Sequence, residues 1–205
     1  MATPWTVPRM WPGRTVAILA SGPSMSQHIA DAVRASGMPA LVTNETFLLA
    51  PWADLLFAAD SAWWSTRAQD ALKFDGLKVT TNGSTPFRQV LHLQAGERLG
   101  FDPNPSRLAT GGNGGYQALH IAAHAGAARV LLFGFDMRGG HWHGPHADPL
   151  SNPSPSTFAR WIAAFQTLAP QLRARGVEVL NCTPGSALRC FPAAAMADAL
   201  EMTTC

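Results

Sequence analysis

Three of the chain's seven histidines fall within six residues, in His141-Trp-His143-Gly-Pro-His146, and Asp148 follows two places on. A loop histidine has no packing reason to be there, so the run points to chemistry, and two kinds fit it. Imidazoles and a carboxylate spaced as His141-x-His143-x-x-His146-x-Asp148 suit a divalent zinc, iron or manganese ion. Alternatively, one of the three is a general base, because imidazole is the side chain whose ordinary pKa lies near neutrality. A second group is made of glycine. In Thr110-Gly111-Gly112-Asn113-Gly-Gly-Tyr116, four glycines in five positions let the backbone turn where a Cβ would clash. They also leave a row of N–H groups at a helix start, which is an anion site. Ser21-Gly22-Pro23-Ser24 reads the same way on a smaller scale, or simply as a turn that caps the next helix. Neither turn is the Gly-x-Gly-x-x-Gly fingerprint of dinucleotide folds, and no Gly-Lys-Ser/Thr of a phosphate-binding loop follows.

The elements around these turns must bring them together. Thr15-Val-Ala-Ile-Leu-Ala20 is a buried strand, followed by the Ser21–Ser24 turn and a helix from about 25 to 36. Strands over 40–43 and 54–59 end at Asn44 and Asp60, and Ser61 is placed to cap a helix that carries Trp63 and Trp64 to about 74. Two further strands read over 77–81 and 89–93, and 96–107 reads as a loop. The glycine loop opens a small-residue helix that Gly126 stops. Arg129-Val-Leu-Leu-Phe-Gly-Phe-Asp136 is then an apolar run too short for a helix, a strand covered on both faces with an acid at its end. Residues 137–155 have no periodicity and form a lid. Phe158, Trp161, Ile162, Phe165, Leu168 and Leu172 recur three or four apart on a long amphipathic helix. A last strand over 177–181, the Thr183-Pro-Gly-Ser186 turn and a short alanine-rich helix complete the alternation.

This is the pattern of a single Rossmann-like α/β domain over 1–205, with a mostly parallel sheet, helices on both faces, an arm over 1–14 and the lid over 137–155. Parallel strands present their carboxyl ends on one edge. Ser24, Asn44, Asp60, Thr110 to Gly115, Asp136 and Thr183 to Ser186 should therefore line one crevice. His120 and His124, one turn apart on the central helix, read as packed or capping groups, and Trp63 and Trp64 as core or pocket wall.

Composition narrows the partners. A net charge of +2 with 14% charged residues gives no basic stripe for a nucleic-acid backbone. Cys182, Cys190 and Cys205 have neither metal-ligand spacing nor an even count, so a reducing, cytoplasmic setting is expected and a disulfide framework is not. Arg9 and Arg14 precede an apolar run, but the run is too short for a secretory signal. No stretch approaches the roughly 20 apolar residues of a membrane span. Self-association into a homo-oligomer is compatible with all of this.

The order of Gly22-Pro23-Ser24, Asn44, Thr110-Gly-Gly, Val-Leu-Leu-Phe-Gly-Phe-Asp136, a histidine loop and Asn181-Cys-Thr-Pro-Gly-Ser-Ala-Leu188 resembles that of the bacterial lipooligosaccharide sialyltransferases. The same frame is shared by the 6-hydroxymethylpterin diphosphokinase-like family, which includes flagellin-modifying accessory factors and phage proteins. The resemblance spans roughly residues 15–192. It implies a transferase that takes a nucleotide sugar of the CMP type as donor and needs no cofactor or metal. It implies Gly22, Pro23, Ser24, Asn44, Thr110, Gly111 and Gly112 as nucleotide contacts, and His143 or His146 as base. Those enzymes set a pair of tyrosines on the leaving phosphate, whereas Tyr116 is the only tyrosine here. The diphosphokinase branch implies instead magnesium on Asp60 and Asp136 and a pterin-like alcohol as acceptor. A third expectation, from a different class, is a binding module that holds a nucleotide without chemistry.

Overall fold

The computed structural model describes residues 4–201; residues 1–3 of the arm and Cys205 lie outside the described residues. Seven parallel strands form one sheet: β1 (Thr15–Leu19), β2 (Ala40–Thr43), β3 (Leu55–Phe57), β4 (Leu77–Thr80), β5 (Val90–His92), β8 (Arg129–Phe133) and β9 (Glu178–Asn181). Two short strands, β6 (Gln94–Ala95) and β7 (Arg107–Leu108), pair separately, at the two ends of the segment expected to be loop. The order in the large sheet is β5-β4-β3-β2-β1-β8-β9. The chain winds outward from β1 to β5, then returns to the far side of β1, so the direction of winding reverses between β1 and β8.

The apolar runs form strands because both of their faces are covered. Val16 and Ile18 of β1 pack in one cluster with the helices α3 (Gly114–His124) and α4 (Pro155–Ala174). Ala17 and Leu19 point the other way, into a cluster with α1 (Gln27–Ala35) and α2 (Ser61–Ala71). The last helix, α5 (Met196–Glu201), adds Ala199 to that second cluster. Each large apolar side chain so buried contributes roughly 1.5–3 kcal/mol. The result is the expected α/β domain, with a parallel sheet between two layers of helix. Val7 and Trp11 of the arm are buried against the α3–α4 side, and the Trp11 amide donates to the Ala125 carbonyl at 2.8 Å. No helix among the described residues is long and apolar enough to cross a membrane.

Helix boundaries follow their caps. Ser26, Asn113 and Ser154 cap α1, α3 and α4 through side-chain oxygens. At α2 the cap is Asp60, whose carboxylate accepts from the Ala62 amide at 2.8 Å; Ser61, expected in that role, is the first helical residue. The β3 strand is shorter than the expected 54–59: the Ala58 amide makes the last ladder bond, to the Val79 carbonyl, and the chain then leaves for the Asp60 cap. After β2 the chain enters a short 3-10 helix (Asn44–Leu48), with Asn44 itself at φ +49°.

Candidate functional site

A crevice of about 620 Å3 opens over the carboxyl ends of β1, β2, β3 and β8, where the winding reverses. At its floor, the turns that leave β1 and β8 touch. The Gly22 amide donates to the Gly134 carbonyl at 3.0 Å. A Cβ on Gly22 would stand 2.3 Å from that carbonyl oxygen and 2.1 Å from Asp136 Oδ2, so only glycine fits.

Of the residues expected on this edge, Ser21, Gly22, Asn44, Asp60, Thr110, Gly112 and Asn113 line the crevice, and so do His141 and His146. Pro23, Ser24, Gly111, Asp136, Thr183, Ser186 and His143 do not, and several of these displacements have a physical reason. Asp136 is buried, and its Oδ2 accepts from the Ser24 hydroxyl at 2.8 Å and the Ser24 amide at 3.3 Å. The acid thus closes the first turn instead of facing a ligand, and Pro23 is exposed outside the crevice. Thr183 Oγ1 accepts from the Phe135 amide at 2.9 Å, and the Ser186 hydroxyl donates to the Phe135 carbonyl. Both hold the backbone of the loop after β8. Gly111 lies beneath the Tyr116 ring, where a Cβ would come within 2.3 Å of Cγ. Tyr116 is itself fully buried and donates to the Gly100 carbonyl at 2.9 Å, so the only tyrosine is a packing group.

The glycine loop turns as its composition suggests. Gly111 and Gly112 have φ of +55° and +66°, and Asn113 Oδ1 accepts from the Tyr116 amide at 3.1 Å. That side chain satisfies the third helical amide only. The first two, on Gly114 and Gly115, have no carbonyl partner inside a helix, and both glycines line the crevice. The same crevice is lined by Arg138 of the lid and by Arg160, Phe158 and Trp161 from the first turns of α4. Phe158 and Trp161, expected on the apolar face of that helix, pack at the edge of the core and line the crevice as well; the two arginines were not expected there.

The lid is anchored at its start. The Ser21 carbonyl accepts from the Trp142 amide at 3.2 Å and lies 3.3 Å from His141 Nδ1. Trp142 Nε1 donates to Thr46 Oγ1, which is 2.9 Å from the Ser21 hydroxyl. Further along, the Asn152 side chain accepts from the His146 amide at 2.8 Å and donates to the His146 carbonyl at 3.0 Å. These ties gather the three histidines. The rings of His141 and His143 stack with centroids 5.1 Å apart, and His146 lies 4.5 and 4.8 Å from them.

Behind the cluster is Glu45, which the sequence reading missed. Its side chain is fully buried; Oε2 lies 3.7 Å from His143 Nε2, and Oε1 lies 3.7 Å from His146 Nδ1 and 3.3 Å from Arg67 Nε. Asp148, the acid nearest the histidines in sequence, is exposed. A charged residue immediately after Asn44, inside an otherwise apolar stretch, was the available signal. Burial pushes the His141 and His143 pKa values down; neighbouring imidazoles add to this, while Glu45 opposes it.

His120 and His124 sit on the opposite side of α3, packed on Phe101 as expected of structural groups. Trp63 and Trp64 are buried, with Trp63 also forming crevice wall. No protein-family model matches the chain, and no curated protein matches it.

Proposed function

We propose that this protein is a transferase of the nucleotide-sugar type, with the donor's phosphate held in the crevice at the start of α3. One observation carries the reading: one crevice is lined by Gly114 and Gly115, whose amides open α3 without a helical acceptor, and by Arg138 and Arg160. Helix N-terminal amides and the helix dipole favour an anion, and the two arginines add positive charge from the lid side. Asn44 and Asp60 lie at the β2 and β3 ends of the crevice, where they would contact the nucleoside. Phe158, Trp161 and Trp63 supply apolar wall.

In the transfer, an acceptor hydroxyl oxygen bonds to the donor sugar's anomeric carbon as the bond to the phosphate oxygen breaks and the nucleotide leaves with that electron pair. The hydroxyl proton is taken up at the lid cluster, where His141 and His146 line the crevice with Glu45 behind. The transition state carries positive charge on the sugar, so the attacking oxygen needs timely deprotonation more than strong nucleophilicity. The lid keeps donor and acceptor from water meanwhile. The magnesium-dependent diphosphokinase alternative is weaker, because Asp136 Oδ2 is occupied by Ser24 and Asp60 caps α2.

Calorimetric titration with CMP, UDP, GDP and ATP tests the reading. A Cβ on Gly114 meets nothing within 4 Å and its φ is unstrained, so Gly114→Val fills the anion site without disturbing the fold. One of the nucleotides should bind the wild type, and Gly114→Val should lose at least about 100-fold in affinity with an unchanged melting temperature. Equal affinity in the two proteins would count decisively against this site.

A further inference from the structure

We infer that His141, His143 and His146 form a binding site for one zinc-type divalent ion, with Glu45 as the carboxylate partner behind them. The donor atoms of the three histidines all lie within 4.8 Å of one another. Tetrahedral zinc with Zn–N bonds of about 2.1 Å separates its ligands by about 3.4 Å, so each donor need move inward by only about 0.8 Å. All three rings sit on one loop that carries no helix or strand, which makes such a closure small.

The second observation is where unsatisfied polar atoms accumulate. Among the described residues, six buried side-chain nitrogen or oxygen atoms have no hydrogen-bond partner, and three of them are His141 Nε2, His143 Nε2 and Glu45 Oε2. Leaving each such group unpaired costs about 1–3 kcal/mol, so three in one place call for a common partner. Two imidazole nitrogens and a carboxylate oxygen gathered there are satisfied together by a cation, with each nitrogen offering its lone pair.

The outer contacts match what such a site needs. His141 has Nδ1 against the Ser21 carbonyl, which sets that nitrogen as the proton donor and leaves Nε2 as the lone pair. Arg67 holds Glu45 Oε1 and leaves Oε2 toward the cluster. Imidazole selects zinc, iron, cobalt or nickel over magnesium, which prefers oxygen donors. Because His141 and His146 also line the crevice, the ion keeps a face open to whatever occupies it. That is the arrangement of a catalytic metal centre, and it differs from the fully enclosed structural kind. If an acceptor hydroxyl binds there, the ion lowers its pKa and so does the work assigned above to the cluster as a whole.

The inference rests on the cluster and not on the nucleotide reading, and the test keeps the two apart. The full chain, stripped with EDTA, is titrated with Zn2+ against a chromophoric chelator, and Co2+ is added in parallel to read coordination from its visible spectrum. One equivalent of Zn2+ should bind, with the intense absorption of four-coordinate Co2+. His141→Ala, His143→Ala and His146→Ala should each weaken binding by about 100-fold or more, and Glu45→Gln by about 10–100-fold. The exposed His28 serves as control, and His28→Ala should match the wild type. His→Gln variants, checked by melting temperature, replace any alanine variant that fails to fold. Wild-type uptake no greater than that of the triple His→Ala variant, or single variants with wild-type affinity, would overturn the site. A chain that holds zinc but binds none of the four nucleotides overturns the proposed function and leaves the metal site standing; nucleotide binding without zinc does the reverse.

Discussion

His120 and His143 are both taken substantially out of water, and their nitrogens meet opposite surroundings. His120 is completely buried, stacked 4.9 Å from Phe101, with each ring nitrogen 3.1 Å from a backbone carbonyl, those of Tyr116 and Gly100. His143 has stacked imidazole and carboxylate neighbours, and its buried Nε2 has no hydrogen bond at all. One ring is fitted into a helix and a core. The other is held among groups of its own kind on a loop. For these two rings, what the nitrogens find separates them more sharply than depth of burial does.

The contrast is broken most directly by removing the packed ring. His120→Ala leaves a cavity between Phe101 and Tyr116 and should cost about 4 kcal/mol in urea unfolding, with zinc uptake unchanged. A cost below about 1 kcal/mol would mean that His120 is not the packing group described. Acid offers a second way in. Burial lowers the His120 pKa from 6.5 to about 4. The ring stays neutral in the fold while the unfolded chain takes up a proton below 6.5, so its contribution is complete above that pH. Stability is lost as pH falls from 6.5 to about 4, by about 3 kcal/mol from this group. His120→Phe should flatten that part of the stability curve relative to wild type, and superimposable pH slopes would remove His120 as the cause.

The lid histidine should behave otherwise. His143→Ala in metal-free protein removes a nitrogen that has no partner, and should change stability by no more than about 1 kcal/mol. A loss approaching that of His120→Ala would place both rings in one structural class and erase the contrast. The smallest effect belongs to Asp148, which is exposed and stands outside the cluster despite its place in the His-x-His-x-x-His-x-Asp spacing. Asp148→Asn should leave zinc affinity within about twofold and stability within about 0.5 kcal/mol. A large drop in affinity there would show that the carboxylate partner is the sequence neighbour and not Glu45.

The strands were legible because a parallel sheet covers both faces of each, and β1 and β8 therefore read as unbroken apolar runs. The turn at Gly111 and Gly112 was legible because its backbone takes positive φ, which glycine tolerates and other residues resist. The histidine run was legible by residue type alone. The identity of its partner was not. Glu45 and Arg67 come to the cluster from the segments after β2 and β3, and only the strand order β3-β2-β1-β8 sets those segments beside a loop some hundred residues later. Asp136 shows the same limit from the other side: at a strand end it reads as a ligand contact, yet Ser24, 112 residues earlier, takes its carboxylate. Local sequence determined which segments became strands, helices and tight turns, since those depend on periodicity, capping and φ. Which polar groups were spent on one another and which were left facing the crevice was decided by the pairing of distant strands, because hydrogen bonds and charge contacts act over a few ångströms of space and take no account of separation along the chain.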